Sequence, residues 1–201
     1  MPAAGSNGQK KGYDVNIQTY FDGFTGTLNN CLADKAQLKA LARAVDILKR
    51  TKKARTKIIL AGNGGSSAIA EHMAIDLTKN AGLRAIAVSG TPTLTTFAND
   101  FGYDKVYQKA IEAFGDAGDV LIAISSGGTS KNILNAVAAA KAKKMTVITL
   151  SGFDAANPLR KTGDVNLWVN SRAFGYVELI HNLFIHYIND AIIGKAEYMI
   201  R

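Results

Sequence analysis

The chain has 201 residues, enough to bury a sizeable core without disulfide or metal staples and within the range of one domain. Its 47% apolar and 20% charged residues, 19 Gly and 3 Pro exclude disordered and collagen-like classes, and the single Cys31 excludes an internal disulfide framework and fits a reducing compartment. A net charge of +8 admits a polyanionic partner, but the cations bunch in KRTKKARTK (49–57) with no interleaved aromatic residues, so that run reads as a solvated basic helix end and no nucleic-acid partner is expected.

Residues 1–12 are small, polar and basic and read as a frayed leader; they lack the apolar core of a secretory signal. No apolar run approaches the roughly 20 residues of a membrane span, so a cytoplasmic location and no membrane partner are expected. Structure is expected from Tyr13, with one domain over 13–201 and no internal linker. Apolar residues at three- and four-residue spacing predict helices over 15–32 and 35–52, the second carrying Leu38, Leu41, Val45 and Leu48 on one face. The pattern then changes to short β-rich runs at 57–62, 84–90, 119–125, 145–152 and 166–170, separated by helical stretches at 66–80, 92–114, 130–143 and 175–194. Several of the runs are continuously apolar, as strands covered on both faces are, and the alternation predicts a parallel sheet wrapped by helices through right-handed crossovers. In such sheets ligands bind beyond the carboxyl ends of the strands.

Two of those strand ends are rich in glycine and hydroxyl groups: Gly62-Asn63-Gly64-Gly65-Ser66-Ser67 and Ser125-Ser126-Gly127-Gly128-Thr129-Ser130. Glycine lets the backbone approach a ligand, a helix N-terminus offers free N–H groups and partial positive charge, and Ser and Thr add donors, which together make a phosphate cradle. A strand-to-helix connection with a serine cap would explain one such turn; two at successive strand ends point to a ligand. Neither the dinucleotide fingerprint nor the P-loop pattern is present. Next to the first turn, His72 and Asp76 stand four apart and share a helix face, whereas Glu71 points elsewhere. The other two histidines, His181 and His186, lie on the last helix, and three histidines in two helices that both begin near a ligand-binding edge suggest one shared site.

GNGGSSAIAEHMAIDLT, FANDFGYDKVY and GDVLIAISSGGTSKNILNAVAAAKAKKMTVITLSG together resemble the sugar isomerase (SIS) domain family, in particular its phosphoheptose isomerase branch, over about residues 15–195. The resemblance implies a flavodoxin-like α/β three-layer sandwich with a five-stranded parallel sheet and an N-terminal helical hairpin, and a homotetramer with active sites at subunit interfaces. It implies a small-molecule sugar phosphate as partner and isomerisation of sedoheptulose 7-phosphate to D-glycero-D-manno-heptose 7-phosphate, a step towards activated heptose for cell-surface polysaccharide. By the same resemblance Ser125, Ser126, Thr129 and Ser130 hold the phosphate, Asn63, Gly64 and Ser66 meet the sugar, and Asp100 of the N-D-F-G segment joins the site.

The family carries a His and a Glu four apart on the first site helix and a Gln and a His eight apart on the last. The first pair maps onto His72 and Asp76. For the second, alignment on FGY (174–176) would select His181 and Asn189, whereas a register with a three-residue deletion before the helix selects Glu178 and His186 and keeps both histidines of the pattern. In the second register, the set His72, Asp76, Glu178 and His186 suits Zn²⁺, and Asp76, Glu178 and His186 are the candidate acid/base groups for an enediol mechanism. Asp stands where the family has Glu, Glu where it has Gln, and Gly127 where it has a hydroxyl. A non-catalytic sugar-phosphate sensor, a replication-initiator-binding domain and an isomerase of another sugar phosphate are the alternatives.

Overall fold

The computed structural model describes residues 15–197; the leader expected over 1–12 lies outside them. Helix α1, Ile17–Ala33, starts at Asn16, whose side chain accepts hydrogen bonds from the N–H groups of Gln18 and Thr19 at 2.9 and 3.3 Å. Asp34 ends α1 and caps α2, Lys35–Ala54, by accepting from the Ala36 N–H at 2.8 Å. The basic run closes α2: Arg55 turns left-handed at φ 57°, Lys52 Nζ donates to the Ala81 carbonyl at 2.7 Å, and Arg84 donates to the Arg55 carbonyl at 2.5 Å. These cations satisfy backbone oxygens around a helix C-terminus, where positive charge is favoured.

The alternating part follows as β1 Lys57–Gly62, α3 Gly65–Lys79, β2 Arg84–Ala87, α4 Thr91–Phe101, α5 Val106–Phe114, β3 Val120–Ser125, α6 Lys131–Ala142, β4 Thr146–Ser151, β5 Val165–Trp168 and α7 Phe174–Ile193. One predicted helix is two. The stretch 92–114 breaks at Gly102, which takes φ +83°, and a 3-10 turn over Tyr103–Lys105 re-aims the chain into α5. The positive φ of this glycine is what ends α4 inside the stretch expected as one helix.

All five strands pair in parallel, in the order β2-β1-β3-β4-β5. Side chains alternate between two cores. Ile58, Leu60, Ile122, Ile124, Leu150 and Leu167 pack under α2, α3 and α7, while Ile59, Ala61, Leu121, Ala123 and Val147 pack under α5 and α6. Because the chain leaves β1 for β2 on one side and returns to β3 on the other, a crevice opens at the carboxyl ends of β1 and β3. Among the described residues no helix is long and apolar enough to cross a membrane.

His181 departs from the expected shared site. It is completely buried on the sheet side of α7, and its Nε2 donates to the Ser151 carbonyl at 3.0 Å, so it joins α7 to the end of β4. Burial pushes its pKa down to about 4, with the Ser151 bond opposing the shift. The folded ring therefore stays neutral over a range in which the unfolded ring, near its ordinary value of 6.5, takes a proton. Stability is undiminished above pH 6.5 and falls between pH 6.5 and about 4, by at most about 1.4 kcal/mol per pH unit from this group. Urea unfolding across that range should show the advantage of the native chain over His181→Gln shrinking as pH falls; parallel curves would remove His181 as the cause.

Candidate functional site

The turn after β1 is built on missing side chains. A Cβ at Gly62 would lie 2.5 Å from the backbone of Ser66, and Gly64 takes φ 54°, ψ −122°, which a side chain does not tolerate. At Gly65 a Cβ would lie 2.5 Å from Glu178 Oε2, so the bare backbone lets the Glu178 carboxylate of α7 approach the N-terminus of α3, an end that has no side-chain cap and favours negative charge. Asn63 is hydrogen-bonded to Asn132 and Tyr103, and the Tyr107 hydroxyl donates to the Gly62 carbonyl.

The turn after β3 presents hydroxyls instead. Ser125 Oγ and Ser130 Oγ are 3.1 Å apart, and the Gly128 N–H donates to Ser125 Oγ at 3.2 Å. Gly128, at φ +67°, packs so tightly on Asn157 that a Cβ would overlap its amide. Ser126 Oγ is buried without a partner, and the N-terminus of α6 has no side-chain cap. Both features fit an anion that supplies the missing bonds.

The two turns face one cavity of about 460 Å³, lined by Asn63 and Ser66 from the first, Ser125, Ser126, Thr129 and Ser130 from the second, and Glu178 from α7. Its wall also holds Phe153, Asp154, Arg172 and Phe174, which sequence reasoning missed. The signal for Arg172 and Phe174 is that both lie in the connection from β5 to the start of α7, at a strand carboxyl end where ligands bind. Gly64, also expected at the site, is exposed and is not on this wall. Asp100 is not on this wall; it is exposed in the last turn of α4 and accepts from Asn99 Nδ2 at 2.9 Å.

Further along α3, His72 Nε2 lies 3.5 Å from Asp76 Oδ2, and the rings of His72 and His186 meet edge to face with centroids 5.3 Å apart. One ligand atom from each of His72, Asp76 and His186 falls within 4.8 Å of the others. Two imidazoles and a carboxylate so placed fit a zinc site with an open position. Glu178 does not join this group of three, in contrast to the expected set of four. It stands eight residues before His186 on α7, a separation of about 12 Å along the axis, and lines both the phosphate-cradle cavity and a neighbouring one that includes His72. The geometry nevertheless favours the register that selects Glu178 and His186, because His181 and Asn189, the other choice, are both fully buried. Glu71 is turned away and accepts from Ser89 Oγ at 2.8 Å.

Residues 19–152 match the SIS domain family. The chain is 41% identical over 182 residues to the phosphoheptose isomerase of Edwardsiella ictaluri, covering 88% of this chain and 93% of that protein. It is 41% identical over 168 residues to the phosphoheptose isomerase of Pectobacterium atrosepticum, covering 81% of this chain and 86% of that one. Among solved structures, the phosphoheptose isomerase of Neisseria gonorrhoeae superposes with a TM-score of 0.80 at 33% identity, covering 89% of this chain and 97% of that chain.

A cradle of this construction should bind inorganic phosphate. Arg172→Ala and Ser126→Ala should each weaken that binding by about tenfold, the loss of one charge-assisted or buried hydrogen bond, as read by ³¹P NMR titration. Unchanged affinity in both variants would place the anion elsewhere.

Proposed function

The chain belongs to the SIS-domain family and, within it, to the phosphoheptose isomerases; on that premise we propose that it converts sedoheptulose 7-phosphate into D-glycero-D-manno-heptose 7-phosphate through an enediol. The observation that carries the reading is the polar cavity in which a hydroxyl-rich cradle and the Glu178 carboxylate face each other. Identity of 41% to an isomerase over most of both chains sets aside the alternatives of a sensor or an initiator-binding domain.

In this reading Ser125, Ser126, Thr129 and Ser130 anchor the phosphate, and Arg172 adds a positive charge at the same wall. Anchoring fixes the sugar relative to the acid/base groups, which is the cradle's share of catalysis. The hydrogen beside a carbonyl is weakly acidic, so its removal needs a positioned carboxylate and electrostatic relief for the enediolate. Glu178 is the base, because it lines the cavity, whereas Asp76 is held by His72 at 3.5 Å and by Asn80 Nδ2 at 3.2 Å. Glu178 returns the proton at the neighbouring carbon, and His186, about 12 Å away along α7 and outside this cavity, acts through the ion it would hold with His72 and Asp76. His72, Asp76 and His186 would hold a divalent ion such as Zn²⁺, one per site, which when bound supplies Lewis-acid stabilisation of charge on the sugar oxygens.

The reading includes a homotetramer with sites completed at subunit interfaces. Supporting it, the His72–Asp76–His186 group is bordered by exposed apolar side chains, Ile75 on α3 and Leu183 and Tyr187 on α7, and α7 meets Leu32 and Leu38 in an apolar groove of about 420 Å³. It also includes a cytoplasmic location and delivery of the product to activated heptose for cell-surface polysaccharide.

Aldose formation from sedoheptulose 7-phosphate, followed by NMR, tests the proposal. Glu178→Gln should lower kcat by about 10²- to 10⁴-fold while the protein keeps its metal. Asp76→Asn and His72→Ala should lose the metal, measured by elemental analysis of the purified protein. Full activity in Glu178→Gln, with loss in Asp76→Asn, would move the base to Asp76; absence of turnover by the native chain would overturn the substrate.

A further inference from the structure

We propose that Asn132 and Tyr103 are positioning residues that lock the Asn63 side chain into presenting one N–H donor, and no acceptor, to the substrate. The inference rests on the reading of the cavity as a sugar-phosphate site, and deepens it. Asn63 Oδ1 accepts from Asn132 Nδ2 at 2.9 Å and from the Tyr103 hydroxyl at 2.9 Å, which occupies both lone pairs of the amide oxygen. Asn63 Nδ2 in turn donates one of its two hydrogens to Asn132 Oδ1 at 3.0 Å. A single N–H is left on a residue that lines the cavity, so the substrate group it meets must be an oxygen that accepts.

Both clamping residues are tied to the helix of the phosphate cradle. Asn132 is the second residue of α6, is 3% exposed, and uses Oδ1 also to accept from the Ile133 N–H at 3.0 Å. Tyr103 belongs to the 3-10 turn that begins after Gly102, and that turn is held to α6 by Asn135 Nδ2, which donates to the Asp104 carbonyl at 2.8 Å. The donor on the first turn and the cradle on the second therefore form one rigid unit, and the distance from phosphate to sugar oxygen is set by α6. The break at Gly102 gains a role from this: an unbroken helix over 92–114 would not deliver Tyr103 to Asn63 by the observed turn.

The test compares Asn132→Leu, Asn132→Asp and Tyr103→Phe with the native chain in three readouts: turnover of sedoheptulose 7-phosphate, inorganic phosphate affinity, and the ¹H–¹⁵N resonances of the Asn63 side-chain amide. Asn132→Leu should lower kcat/KM by about 100-fold, the effect of a misplaced binding group, and Tyr103→Phe by about tenfold, one hydrogen bond. Phosphate affinity should be unchanged in Asn132→Leu and Tyr103→Phe, whereas a merely structural defect would lower it in parallel. The Asn63 amide pair should move in every variant. Asn132→Asp keeps the acceptor and loses the donor, so it reports on the clamp even where the leucine does not fold. Unmoved Asn63 resonances, or moved resonances with unchanged kcat/KM, would overturn the inference. A native chain without turnover, combined with Asn63 resonances that respond to the variants, would instead count against the substrate reading and leave the clamp standing.

Discussion

In a parallel sheet, every strand ends by pointing its last carbonyls and the next helix's first N–H groups the same way, and only the reversal of strand order separates two neighbouring connections enough to admit a ligand. Here that reversal lies between β1 and β3. It sets the uncapped N-termini of α3 and α6 on the two sides of one crevice. Around those two helix ends stand hydroxyls on one, a carboxylate packed on the other, and an amide clamp between the turns.

The arrangement needs α7 to serve two purposes at once. Its inner face carries Val177, Ile180, Phe184 and Ile188 into the core, together with the neutral His181 bonded to β4. Its outer positions carry Glu178 to the head of α3 and His186 to the middle of it. An eight-residue spacing on one helix thus serves two points on another, and the price of the close approach at Glu178 is that residue 65 has no side chain. A helix rotated by one position would bury a charge and expose the core.

Much of this was legible in the sequence because it depends on local chemistry. The continuously apolar runs marked the central strands, and the paired glycine and hydroxyl turns marked their ligand-binding ends. His72 and Asp76 were legible as a pair because four-residue spacing fixes a helix face regardless of tertiary context. What was not legible depends on how α7 sits on the sheet. A histidine on a mostly apolar helix reads alike whether it bonds a buried carbonyl, as His181 does, or meets another imidazole, as His186 does. Glu178 shares the composition of a ligand set, but two helical turns separate it from His186, and only the packing shows which of two places it occupies. Asp100 lies outside the cavity in the last turn of α4, and it is Tyr103, beyond the break at Gly102, that bonds Asn63. The Asn63–Asn132 pair joins residues 69 apart and left no local trace.

The central claim is that a positioned carboxylate takes a hydrogen from the sugar carbon beside the carbonyl and that the proton returns at the neighbouring carbon. Running the conversion of sedoheptulose 7-phosphate in D₂O and reading the product by NMR tests this most directly. Exchange of the protonated carboxylate with solvent at the enediol stage places deuterium at C2 of the aldose, which is the result the account predicts; product carrying only protium at C2 would contradict it and indicate transfer between the carbons without a solvent-exchanging base.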